Sequence, residues 1–303
     1  ARSARPRAAR APRTLSAYAG QWKRFCTFCA ARDLSALPAA PETVCAWMAA
    51  RAADDGVKVS TIALGLAAID AAHRAYGHES RKKHSAVART WEGIRRRLGA
   101  PQRRAAAVMP RELAMMASAQ PETAVGLRTR ALLVIGFAGA LRRSELVALD
   151  VSDVAFTEDG VVVTIRRSKT DQEGQGVTVG LPFGSSPLTC PARTLKAWLA
   201  VSKLDDGALF RNFAPHCGPM GKRLAAADVA RIVKRAAKAA GLDPTKYSGH
   251  SLRSGLATAA ARAGKSDRAI MAQGRWKTRT MVDRYVRDGR LLDSENAASG
   301  IGL

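Results

Sequence analysis

His250-Ser251-Leu252-Arg253, then Trp276 in Gly274-Arg275-Trp276 and Tyr285 in Val282-Asp283-Arg284-Tyr285-Val286, gather an imidazole, a guanidinium, an indole and a phenol within 36 residues. Far upstream stand Arg142, in Gly139-Ala140-Leu141-Arg142-Arg143-Ser144-Glu145-Leu146, and Lys169, in Arg167-Ser168-Lys169-Thr170. Cleaving a phosphodiester takes a nucleophile, positive charge around a five-coordinate phosphorus, and a proton for the departing oxygen. Each need has a candidate in this set. Arginine's planar fork gives two parallel hydrogen bonds and holds its charge, so Arg142 and Arg253 are the expected clamp on the phosphoryl oxygens. His250, one helical turn before Arg253, suits acceptance of a phenolic proton or donation to the phosphate. Trp276 has only an N–H to offer, fit for a non-bridging oxygen.

Glu145, three residues after Arg142, is expected to orient Arg142 or His250. Lys169 carries a movable ammonium, suited to protonating a leaving 5′-oxygen. Among Tyr18, Tyr76, Tyr247 and Tyr285, the last is the expected nucleophile, nine residues after Trp276. A phenol ester of phosphorus stores the broken bond and can be displaced by a new DNA hydroxyl without ATP. Two near-matches to other chemistries fail. Gly249-His250-Ser251-Leu252 begins like a nucleophile elbow, but Arg253 stands where the closing glycine belongs. Gly218-Pro219-Met220-Gly221-Lys222-Arg223 lacks the spaced first glycine and the hydroxyl residue of a phosphate-binding loop.

The whole chain leans toward a polyanion. It has 303 residues, 49 Lys plus Arg against 25 Asp plus Glu, a net charge of +24 and a pI near 10.9. The excess is spread over both halves, +13 within residues 1–104 and +11 beyond, so both are expected to touch nucleic acid. Five scattered cysteines (Cys26, Cys29, Cys45, Cys190, Cys217) fit no disulfide framework and point to a reducing compartment. Cys26-x-x-Cys29 has no second pair at zinc-ribbon spacing, so the thiols are read as buried and no metal is expected. The longest apolar run, Ala131 to Leu141, is too short to span a bilayer. A soluble protein is expected, located in the cytoplasm with the nucleoid, without cofactor.

Elements must bring these residues together. Residues 1–13, with four arginines by position 10, read as a disordered basic tail. Leu15, Tyr18, Trp22, Phe25 and Cys29 then recur at helical steps, with Thr14 as the expected N-cap. A second helix opens at Pro41 and stops by Gly56; a third, capped by Ser60, carries Ile62, Leu66, Ile69 and His73; a fourth runs through Val87, Trp91, Ile94 and Leu98. Residues 14–99 are thus a four-helix domain whose later face carries Arg81, Lys82, Lys83, Arg89, Arg95, Arg96 and Arg97, placed to neutralise phosphates without reading bases. Residues 100–108 form a basic linker, and 109–303 a second domain with a C-terminal tail. There Pro110 opens a helix, and an apolar helix runs from Thr123 or Gly126 to Leu141. Val161–Ile165 and Val177–Leu181 form a β-hairpin with Lys169 at or beside its polar tip. Helices are expected over 192–201, 226–240, 251–263, 266–273 and 279–287, with Gly241 and Gly264 as stops. The fold class is mainly α with a small β-sheet.

The ordered set Arg…Lys…His-x-x-Arg…Trp…Tyr resembles the tyrosine recombinases, or phage integrase family, and among them most the Cre-like members. Gly139 to Leu146 and Gly249 to Arg253 look like the family's two arginine boxes. Ala263-Gly264 through Gly274-Arg275-Trp276 to Tyr285-Val286-Arg287 and Leu292-Asp293-Ser294-Glu295 are similar to its C-terminal segment. The resemblance covers most of 110–295 by motif and 14–99 by architecture only. It implies a helical core-binding domain followed by an α+β catalytic domain, clamped on double-stranded DNA. It further implies site-specific recombination by a homotetramer on two paired sites, through a 3′-phosphotyrosine and a Holliday junction, with no metal. By position, Arg142, Lys169, His250, Arg253 and Trp276 would surround the phosphate, Tyr285 would attack, and Glu145 would support. Tryptophan stands where many members have a second histidine. Residues 288–303 would dock on a neighbouring protomer. A type IB topoisomerase or telomere resolvase shares this chemistry, and a DNA-binding protein with an idle pocket shares the charge. Covalent trapping on a nicked duplex separates the latter. Target sequence, direction and accessory proteins are not written in the chain.

Overall fold

The computed structural model describes residues 12–54, 56–99, 104–166, 176–213, 221–293, 296, 298 and 299. The chain divides into two compact units, 1–102 and 103–303. The first holds four helices: α1 (Pro12–Ala30), α2 (Pro41–Ala53), α3 (Val59–Ala75) and α4 (Ser85–Leu98). Their apolar stripes meet in one core of Phe25, Val44, Trp47, Met48, Ile62, Leu66, Ile69 and Val87. Gly65 leaves room for the Trp47 ring, which a β-carbon there would meet at 2.2 Å. His73, fully buried, accepts the Ala39 N–H at Nε2 (2.9 Å) and faces the Ile69 carbonyl with Nδ1 (2.8 Å).

Two helix starts differ from expectation. Thr14 is not a cap: it lies inside α1, which is already helical at Pro12, the first described residue. Ser60 lies inside α3, where Lys58 holds the N-cap position, so the helix starts without a side-chain cap. Of the expected basic face, Arg81, Lys82 and Lys83 form a separate 3-10 turn before α4, and Arg89 and Arg95 to Arg97 are exposed on α4 itself.

The second unit is α5 (Pro110–Ser118), α6 (Ala124–Ala138), α7 (Arg143–Ala148), β1 (Val154–Thr157), β2 (Gly160–Ile165), β3 (Val177–Pro182), α8 (Pro191–Ser202), α9 (Ala226–Ala239), α10 (Ser251–Arg262), α11 (Asp267–Gly274) and α12 (Asp283–Arg290). The hairpin expected from the β-branched runs is β2 with β3, Val163 facing Val179, and β1 adds a third antiparallel strand in the order β1-β2-β3. α6 is buried along most of its length, and its two arginines have found acceptors. Arg128 donates to the Arg211 carbonyl, and Arg130 to the Ala117 and Gln120 carbonyls and to Glu122. A buried guanidinium without such partners would be very costly. Around α6 lies the main core, with Leu132, Leu133, Leu195, Trp198, Phe210 and Val233.

A smaller apolar cluster, Ala140, Ala257, Ala261, Ile270, Trp276, Val282, Tyr285 and Val286, joins α10, α11 and α12. Two glycines allow the close packing there. A β-carbon on Gly289 would meet the Thr258 carbonyl oxygen at 2.5 Å, so α12 rests against α10 only with glycine at that point. A β-carbon on Gly255 would meet the Val108 carbonyl oxygen at 2.0 Å; Val108 also donates its N–H to the Ser251 carbonyl, and Ala106 to that of Lys246. The end of the segment expected as a linker is therefore hydrogen-bonded to the start of α10. No helix among the described residues is long and apolar enough to cross a membrane.

Candidate active site

The C-terminal half of the site is carried by three consecutive elements. His250 precedes α10 and Arg253 lies in its first turn; Trp276 follows α11; Tyr285 is in the first turn of α12. The phenol oxygen of Tyr285 and Nε2 of His250 are 2.8 Å apart. Tyr285 is largely buried, its ring 5.8 Å from that of Trp276, with the Arg284 guanidinium 4.9 Å from its centre. Tyr76, by contrast, is exposed, and Tyr247 is buried, its pKa raised by burial and by the charges of Glu112 and Asp243.

Arg253 is nearly inaccessible and stacks on Trp276, 4.2 Å from the ring centre. One terminal nitrogen donates to the Ala140 carbonyl and the other to the Gly274 carbonyl. Each keeps its second N–H for a ligand, and Nε keeps its single one. Trp276 folds back over Gly274, where a β-carbon would meet the indole at 1.7 Å. Burial, then the charge of Arg142, lower the Arg253 pKa to about 9, which leaves it cationic at neutral pH.

Arg142 caps α7 and is half-buried. Its backbone N–H donates to Glu145 Oε2 (2.9 Å) and its Nη1 to Glu145 Oε1 (2.5 Å). Burial alone would raise the pKa of Glu145; the two hydrogen bonds from Arg142 and the charges of Arg275 and Arg142 outweigh it and hold the carboxyl below its usual range. Of the two partners expected for it, Glu145 is hydrogen-bonded to Arg142 and not to His250, whose Nε2 lies against the Tyr285 hydroxyl. The second partner of Glu145 is Arg275, to which the sequence pattern assigned no role. Arg275 Nη2 donates to Glu145 Oε2 (2.9 Å) and to the Ala140 carbonyl (3.3 Å), and Nη1 to the Gly139 (3.1 Å) and Gln273 (2.8 Å) carbonyls. Both Arg275 (φ 57°) and Ala140 (φ 43°) are left-handed, a conformation costing a non-glycine residue about 1–2 kcal/mol. The adjacent Gln273 amide donates to the Ala138 (2.8 Å) and Gly180 (3.1 Å) carbonyls, tying α11 to α6 and β3.

His250 lies among cations. Desolvation of its ring and the charges of Arg253, Arg284, Arg143 and Arg142 push its pKa below the ordinary histidine value, so it is neutral near pH 7 and its ring nitrogen can accept the phenolic proton. The Arg143 stem crosses over Gly249, where a β-carbon would meet it at 2.4 Å. Lys169 lies outside the described residues, as does Cys217. Lys196 has its amino group 5.2 Å from the centre of the Phe156 ring. Among the described residues no group of His, Cys, Asp and Glu could hold a metal ion; Cys29 is buried and Cys26 half-buried. The arrangement supplies a phenol with a base beside it and two arginines with unspent donors, which suits attack on a phosphodiester.

Comparison with known proteins agrees with that chemistry. Residues 108–290 match the Phage integrase family. An integrase/recombinase xerD homolog of Selenomonas ruminantium is 36% identical over 287 residues, covering 93% of this chain and 84% of the relative. The recombinase cre of Escherichia phage P1 is 29% identical over 189 residues, 57% of this chain and 52% of the relative. Among solved structures, the fold is similar to a lambda integrase dimer bound to a COC′ core site (TM-score 0.63, 20% identity, 94% of this chain and 91% of that one). It is also similar to the XerH site-specific recombinase bound to a palindromic difH substrate (TM-score 0.59, 17% identity, 85% and 70%).

Proposed function

This chain belongs to the phage integrase family and is a tyrosine site-specific recombinase, an enzyme that breaks and rejoins DNA, and on that premise we propose the course of its reaction. Tyr285 attacks the scissile phosphorus as its proton passes to His250. The P–O5′ bond breaks, a 3′-phosphotyrosine forms, and the 5′-oxygen leaves with a proton from Lys169. Arg142 and Arg253 hold the non-bridging oxygens, the Trp276 N–H adds a neutral donor, and Glu145 keeps Arg142 aimed. In the reverse step the 5′-hydroxyl of a partner strand displaces the phenol, His250 returns the proton, and exchange of one strand pair yields a Holliday junction.

The observation carrying this reading is the 2.8 Å approach of Tyr285 to a histidine held neutral by burial and by the cations around it. Two duplex sites require four active tyrosines, one per strand cleaved, hence a homotetramer assembled on double-stranded DNA. Residues 14–99 act as the core-binding domain and 109–303 as the catalytic domain with its tail, joined through 100–108, and the enzyme works in the cytoplasm on nucleoid DNA without cofactor or metal.

Covalent trapping tests it. Wild type incubated with a nicked suicide duplex bearing its site is expected to form a protease-sensitive adduct at the 3′-phosphate, and Tyr285→Phe none. Adduct formation by Tyr285→Phe would remove Tyr285 as nucleophile, and a wild type that binds its site without ever forming the adduct would reduce the protein to a DNA-binding role.

A further inference from the structure

We propose that Arg275 is a positioning residue for strand cleavage, holding Arg142 through Glu145 and Arg253 through the Ala140 carbonyl while making no contact with DNA itself. The inference rests on the reaction proposed above and deepens it. The two terminal nitrogens of Arg275 carry four N–H groups, and four protein acceptors stand around them: the Gly139, Ala140 and Gln273 carbonyls and Glu145 Oε2. Nε is buried without a partner. The guanidinium therefore has no terminal donor left for a phosphate, unlike Arg142, which spends Nη1 on Glu145, and Arg253, which spends one N–H from each terminal nitrogen.

Those acceptors define a continuous chain: Arg142 to Glu145, Glu145 to Arg275, Arg275 to the Ala140 carbonyl, and that carbonyl to Arg253. Each end is a proposed phosphate ligand. Ala140 can offer its carbonyl to both arginines because its backbone is left-handed, and Arg275 reaches it from a left-handed residue of its own. The chain also sets charge. Glu145 is almost wholly buried, and a carboxylate in that position gathers whatever donors are near. With Arg275 on Oε2, Glu145 takes a single side-chain N–H from Arg142 and leaves the rest of that fork open. Without Arg275, the same carboxylate would draw further on Arg142 and compete with the DNA phosphate for it.

The test is single-turnover cleavage of the nicked suicide duplex at saturating full-length protein, with DNA affinity measured separately on an uncleavable site. R275Q is expected to slow cleavage by about 10²-fold, the scale of a misaligned reacting group, with Kd essentially unchanged. R275K keeps a charge for Glu145 but not the fork for the carbonyls, and is expected to recover part of the rate. In an E145Q background the R275Q substitution should cost far less than alone, since it acts through the group already removed. Wild-type cleavage by R275Q, a loss appearing in Kd instead of rate, or fully additive losses with E145Q would each overturn the proposal. If R275Q melts below the assay temperature, R275K decides: a native melt with an undiminished rate overturns it. A wild type that yields no adduct defeats the proposed reaction and this inference with it, whereas an active wild type matched by R275Q defeats this inference alone.

Discussion

His250 and Tyr285 divide one task, and the protonation state of the imidazole sets when it can be done. Since burial and four arginines lower the His250 pKa, its neutral form persists below the value of about 6.5 for a free imidazole. Cleavage should therefore hold its rate as pH falls through 6.5 and decline only in more acid solution, as the ring gains a proton and ceases to accept one from Tyr285. A single-turnover rate profile checks this; an acid limb centred above 6.5 would contradict a depressed pKa. His250→Ala is expected to slow adduct formation by about 10²–10⁴-fold, the usual contribution of a positioned base, with DNA affinity retained. That Tyr285, His250 and Arg253 gather in one place was legible from residue type and order alone. Arg275 was not: by sequence it is one more arginine in a basic chain, and its ion pair with Glu145 spans 130 residues.

At the scale of elements, the site depends on how closely α12 lies on α10. Gly289, one turn after Tyr285, faces the Thr258 carbonyl with no space for a methyl group. Gly289→Ala should therefore push α12 outward, costing about 1–3 kcal/mol of stability by overpacking and slowing cleavage as the phenol moves from His250. Chemical denaturation and the suicide substrate measure the two effects, and a variant unchanged in both would mean that the helices are free to separate. In the first unit, His73→Phe should lower stability by about 1–3 kcal/mol, because the buried Ala39 N–H loses its acceptor; an unaltered urea midpoint would refute that pin. Most helices were readable from their 3.6-residue apolar period and their glycine stops. β1 and α7 were not, being only four and six residues long, too short for a period to emerge. Thr14 and Ser60 both lie inside their helices and not at the caps, because helical propensity carries the chain past a cap-forming residue toward the N-terminus.

For the whole molecule, charge governs association with DNA and packing governs what happens there. Arg95, Arg96 and Arg97 are exposed at the end of α4; replacing all three by alanine should reduce the slope of log Kd against log salt by about 0.9 for each phosphate that is no longer neutralised. Anisotropy titrations over a salt series check it, and an unchanged slope would take this face off the DNA. Residue types, their order and the +24 charge by themselves determined the class of chemistry, the nucleic-acid partner and the mainly α fold, since propensity and periodicity act between near neighbours and chemistry is a property of side chains. Only the tertiary structure decided which basic residues meet. It closed Arg142, Glu145, Arg275 and Arg253 into one network and set Ala140 and Arg275 in left-handed backbone. Apart from the Arg142–Glu145 pair, three residues apart, the links of that network join residues more than a hundred positions apart, and they are selected by close packing around glycines and shared carbonyls, which no local pattern encodes.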